Sequence, residues 1–124
     1  DLHSFPTRRS SDLTNRVGYY VRIGNHVTVK GKIDGFQNTS STNTFTIGNL
    51  PFTSGANQNI VSGAATASEH NFGDGMVCIV NASDTSVYFV NVGTGDAGNT
   101  ALKFANFYST GATVQFVAQY QTDY

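Results

Sequence analysis

MVCIVNASDTSVYFVNV, residues 76–92, is the stretch on which the fold turns. Met76, Cys78 and Val80 alternate with Val77 and Ile79, then a polar NASDT turn follows, then Val87 and Phe89 alternate with Tyr88, Val90 and Val92. Side chains along a strand point to opposite faces in turn, so this period of two predicts a β-hairpin. Neither alternating set is polar, however, and a strand with two apolar faces is expected to be covered on both sides. In a single-domain sandwich one face meets the opposite sheet. The other needs a cover that so short a chain does not supply, and a partner subunit is the natural candidate.

Working outward, residues 17–34 contain a second hairpin. Val17, Tyr19, Val21 and Ile23 alternate with Gly18, Tyr20 and Arg22. After Gly24-Asn25, the residues Val27, Val29, Gly31 and Ile33 alternate with Thr28, Lys30, Lys32 and Asp34, the latter facing water. A two-residue loop would put Ile23 opposite His26 and send the two apolar sets to opposite faces. Face matching therefore predicts a three-residue loop or a bulge, with Ile23 opposite Val27 and His26 as a solvent-facing turn residue. Further strands are expected around Phe45, Ile47 and Leu50, then at residues 58–70, 101–107 and 113–121. The 58–70 strand is rich in alanine and contains Gly63, which suggests close backbone approach, with a neighbouring subunit as the candidate. About eight short strands at regular spacing predict an all-β chain, an antiparallel jelly-roll-like β-sandwich.

Composition agrees. Thr, Ser, Asn and Gly dominate the polar residues, and Val, Tyr and Phe the apolar ones, which favours strands and turns over helices. Charged residues are only 12% of the 124, with a net charge of −1, which leaves no electrostatic footprint for nucleic acid or an anionic membrane. No apolar run approaches the roughly 20 residues of a membrane-spanning helix. Residues 1–13, DLHSFPTRRSSDL, look like the translation of a short-read sequencing adapter. They are expected to be artefact rather than native, with residues 14–124 a single β-sandwich domain from the C-terminal part of a longer protein.

Chemistry has no visible carrier. The lone Cys78 sits in an apolar run and reads as a buried structural thiol. Gly93-Thr94-Gly95-Asp96-Ala97-Gly98 satisfies GxGxxG, but only one strand follows and the upstream pattern is antiparallel, so a glycine-rich β-turn loop is expected rather than a dinucleotide site. Glu69 and His70 are adjacent, hence on opposite faces of a strand. Asp74-Gly75 and Asp84-Thr85 read as turns. Asp96 with Asn99 falls short of the six to eight oxygens calcium takes. No Cys/His spacing suggests zinc. No catalytic, cofactor or metal residues are expected.

Three segments together carry a resemblance. GYYVRIGNHVTVKGKI (residues 18–33), GNLPFT (residues 48–53) and the closing FVAQYQT (residues 116–122) resemble the C-terminal domains of tail-fibre and related structural proteins of tailed bacteriophages. The resemblance runs from residue 18 to the end of the chain. It implies a trimeric, non-enzymatic head at the distal end of a virion fibre, with sister copies and a bacterial surface glycan or protein as partners and no inserted membrane segment. A low-charge Ser/Thr/Asn surface suits hydrogen bonding to sugars, and Tyr20, Tyr88 or Tyr108 could stack on pyranose faces. Loops on a rigid scaffold are the expected contact regions: residues 38–43, 54–59 and 94–99, with Asn38, Asn43, Asn57, Asp96, Asn99 and Tyr108 as receptor-binding candidates. Two alternatives are a purely structural decoration or trimerisation domain, and an extracellular carbohydrate-binding module of a cellular enzyme.

Overall fold

The computed structural model describes residues 2–5, 13–36, 39–58, 60–71, 75–91 and 101–123. Eight strands follow in chain order: β1 (Leu2–Phe5), β2 (Leu13–Ile23), β3 (His26–Phe36), β4 (Thr46–Ile47), β5 (Val61–Ala67), β6 (Met76–Val80), β7 (Val87–Asn91) and β8 (Thr113–Gln121). All their pairings are antiparallel. They lie in one sheet ordered β1-β2-β3-β8-β5-β6-β7-β4. β1 falls in the stretch read as adapter-derived and joins the edge of β2 by main-chain pairing, Leu2 opposite Val21 and Phe5 opposite Gly18. The other seven strands form a strongly curled half-barrel.

The all-β antiparallel expectation holds, but the strands make one continuous sheet rather than two stacked ones. Curling replaces the second layer. β3 and β4 stand five strand spacings apart, about 24 Å on a flat sheet, yet the ring of Phe36, the last residue of β3, lies 5.6 Å from that of Phe45 beside β4. Phe36 also meets Phe107 at 4.2 Å, and Phe45 meets Phe89 at 5.6 Å and Phe104 at 5.2 Å. The sheet thus closes around its own aromatic filling. Val27, Val29, Ile33, Cys78, Val80, Val114 and Ala118 complete the core.

β5 makes the bend possible. Its register against β6 shifts between Val61 and Gly63, and such a bulge bends a strand and sharpens its twist. A Cβ on Gly63 would overlap the Val117 carbonyl, so the close backbone approach expected here is real and comes from β8 of the same chain. The thiol of Cys78 donates to that same carbonyl at 3.2 Å. Burial pushes this thiol up to about 12, against a smaller lowering by a backbone hydrogen bond. Cys78 is the buried structural thiol the sequence suggested.

Three local expectations are corrected. The β2–β3 loop has two residues: Ile23 pairs with His26, and Val21 with Thr28. Gly24 takes φ 60°, a left-handed conformation suited to the first position of a tight hairpin turn. Turn geometry overrides face matching, and Val17, Tyr19 and Ile23 are left on the outside, Ile23 at 75% exposure. His26 is accordingly an exposed strand residue, paired on its other side with Gln121, and not part of the turn. Residues 101–107 are no strand. They form isolated bridges at Ala101, Lys103 and Phe107 around a 3-10 turn, Phe104–Asn106, which buries Leu102, Phe104 and Phe107 together, the two rings against Phe36 and Phe45. Asp34, finally, is half-buried, with an Oδ1 that has no hydrogen-bond partner among the described residues.

Candidate functional site

Two surfaces stand out. The first is the outer face of the sheet. Register places Tyr19 opposite Lys30, Lys30 opposite Val117, Val117 opposite Ala64, Ala64 opposite Val77 and Val77 opposite Val90. One row across six strands is therefore apolar at every position but Lys30. Ile79 and Tyr88 extend it on β6 and β7, and Val17 extends it on β2. A groove of about 380 Å³ runs along it between Val17, Tyr19, Lys30, Lys32, Ala64 and Val117. Val77, Ile79 and Tyr88 are half-buried and Val90 is buried. The second apolar face of the β6–β7 hairpin, described from Met76 to Asn91, thus lies on the outside, joined to the apolar set of β2 that the two-residue turn sends there.

The second surface is a polar cleft of about 530 Å³ at the end of the sheet where β3 and β5 begin and β8 ends. Its floor is β8, whose alternation turns Gln119 and Gln121 outward and Tyr120 inward. The Tyr120 hydroxyl donates to the Phe52 carbonyl at 2.9 Å and accepts from the Phe52 N–H at 3.3 Å. Phe52 in turn packs edge-on against Tyr20 at 5.4 Å and lies 4.5 Å beneath the Arg22 guanidinium. The LPF segment is thereby tied across β2 and β8.

The cleft wall follows directly. The Gly55 N–H donates to the Gln121 carbonyl at 2.7 Å, the Ala56 N–H to Asp123 Oδ2 at 3.2 Å, and the Gln121 N–H to Gln58 Oε1 at 2.8 Å. Behind it, buried Ser54 donates through its hydroxyl to the Asn81 carbonyl and accepts from the Asp84 N–H at 3.2 Å, which clamps the loop to the 81–84 turn. His26, Asn57, Ile60 and Val61 complete the rim. Asp84 also accepts from the Thr85 N–H at 2.7 Å, the turn expected there.

The receptor-binding candidates do not converge. Asn57 is exposed and lines the cleft. Asn43 and Tyr108 are at the opposite end, where Thr44 bridges Lys103 and the Tyr108 N–H donates to the Glu69 carbonyl; Tyr108 is 68% exposed. Asn38, Asp96 and Asn99, with the GxGxxG stretch, lie outside the described residues. Of the other tyrosines, Tyr20 is half-buried against Phe52 on the inner side, and Tyr88 is half-buried beside Ile79 and Thr46. His26, Gln58, Gln119, Gln121 and Asp123 were missed. Among the described residues no three His, Cys, Asp or Glu side chains converge as metal ligands would. No protein-family model, curated protein or solved structure matches the chain.

Proposed function

We propose that this chain is a virion structural protein, the tip domain of a tail fibre, which assembles as a homotrimer and recognises saccharide on the host cell surface. The observation that carries the reading is the apolar row on the outer face, from Tyr19 through Val117, Ala64 and Val77 to Val90. The half-barrel fills its own interior, so this row is surplus to the fold of one copy. Contiguous, partly exposed apolar surface marks an interaction site: Tyr19 and Ala64 are exposed, Val117 and Val77 half-buried, and only Val90 is already covered within the chain, with Lys30 the one charge in the row. A sister copy packed there would supply the second layer of the jelly-roll-like sandwich. The polar cleft at one end stays open in such an arrangement and offers the recognition surface.

Sedimentation of the 124-residue chain tests this. A trimer near 40 kDa, three times the 13.3 kDa of the chain, is expected, with Val117→Lys dissociating it. A monodisperse single copy overturns the trimeric reading. If that single copy bound saccharide, the carbohydrate-binding module would become the better account; a trimer without any saccharide binding would leave a purely structural domain.

A further inference from the structure

We propose that the cleft formed by β3, β5, β8 and the 54–58 loop is a binding site for a neutral, hydroxyl-rich sugar. This rests on the recognition half of the reading above and names its site and ligand class. The cleft's volume, about 530 Å³, lies within the roughly 300–1,000 Å³ of small-molecule sites. The decisive feature is its hydrogen-bonding inventory. Asn57, Gln119 and Gln121 present side-chain amides, and each amide is both a two-proton donor and an acceptor. Gln58 spends its Oε1 on the Gln121 N–H, which fixes the side chain and leaves its NH₂ directed away from that bond. His26 stands across from Gln121. None of the His26, Asn57, Gln119 or Gln121 side chains hydrogen-bonds another described residue.

A sugar hydroxyl also donates and accepts at once, so paired amides suit it better than they suit a ligand with a single polarity. Charge narrows the class. Among the described residues no lysine or arginine lines the cleft, whereas the Asp123 carboxylate does. An acidic sugar would meet a like charge with no fixed cation to offset it, while a neutral one gains a charge-assisted acceptor. Ile60 and Val61, 61% and 62% exposed, provide an apolar wall for the C–H face of a pyranose. Among the described residues no exposed aromatic ring reinforces that wall, and Tyr120 is buried with its hydroxyl already engaged. Affinity per site is therefore weak, in the millimolar range, and useful attachment comes from several copies bound together.

An amide-resolved NMR titration of the full chain is the test, with methyl α-glucoside, methyl β-galactoside and N-acetylglucosamine as neutral probes and N-acetylneuraminic acid as the acidic one. At least one neutral probe is expected to shift the Gly55, Gln58 and Gln121 amides with saturation, and the acidic probe to leave them in place. Asn57→Ala and Gln119→Ala, both at exposed positions, should each weaken binding about 5-fold, one hydrogen bond's worth. Three results overturn the proposal: no neutral probe moving these amides at about 100 mM, a hundredfold beyond a millimolar complex; the acidic probe binding equally well; or both variants binding like the parent. The pattern of shifts and sedimentation of the same samples separate the two readings: sugar-induced shifts confined to amides elsewhere defeat this site alone, a trimer that ignores sugar defeats both site and recognition, and a sugar-binding monomer defeats the trimer alone.

Discussion

The hairpins β2–β3 and β6–β7 use the same alternation to opposite ends. In β6–β7 four of the five pairs agree in character, among them Cys78 with Phe89 inside and Val77 with Val90 outside, and only Met76 with Asn91 at the end does not. In β2–β3 they disagree. Val27, Val29 and Ile33 of β3 face inward, but the inner side of β2 carries Gly18, Tyr20 and Arg22, while Val17, Tyr19, Val21 and Ile23 point out beside lysines. The difference shows what sets register when face matching and turn chemistry conflict. A Gly-Asn turn favours a two-residue loop, and a polar inner face is tolerable where it is partnered. Here Phe52 covers both Tyr20 and Arg22.

The comparison breaks most visibly on the inside of β7. Phe89→Ala removes ring contacts at 5.6 Å to both Phe45 and Phe116, and should cost about 3–5 kcal/mol in urea unfolding. A loss below 1 kcal/mol would mean that the β6–β7 hairpin is not seated in the core as described.

Cys78, on the facing strand, gives a pH-dependent version. The unfolded thiol ionises around 9.0 and the folded one at about 12. Below pH 9 both states keep the proton and the full stability is present. Between these values the unfolded state loses its proton first and is favoured, so stability should fall by about 1.4 kcal/mol per pH unit. A Cys78→Ala chain should lack this component of the alkaline slope, and native Cys78 should resist a thiol reagent at pH 8. Identical slopes for the two chains would contradict the burial.

The smallest effect belongs to β2. Arg22→Gln loses the cation–π contact with Phe52, worth about 0.5–1 kcal/mol, and should lower the denaturation midpoint only slightly. A loss several times larger would show that Arg22 anchors the inner face of β2 rather than merely being accommodated by it.

Part of the cleft was readable in the sequence. Asn57 lies in a segment whose turn residues marked it as a loop, and it reaches the cleft. Gln119 and Gln121 also left a signal, their strict alternation with Ala118 and Tyr120, but alternating polar residues read equally as an ordinary solvent face. His26, Gln58 and Asp123 gave none, because the cleft joins three segments far apart in the chain. Asn43 and Tyr108 have the right residue types for a contact but sit at the opposite end of the nine-residue β8, which no composition argument could foresee.

The amino-acid order by itself determined most of the strands, their antiparallel hairpins, the buried Cys78 and the doubly apolar character of residues 76–92, since alternation and turn chemistry act over a few neighbouring residues. Only the tertiary structure decided that the strands curl into one sheet, that residues 101–107 pack as an irregular segment on the core rather than as a strand, and that the polar inner side of β2, set by the local Gly24-Asn25 turn, finds a cover. Those outcomes depend on Phe36 meeting Phe45 and Phe107, on the Val117 carbonyl closing over Gly63, and on Phe52 crossing to Tyr20. Such contacts join residues distant in the chain, and their energies favour one packing over others that the local pattern fits equally well.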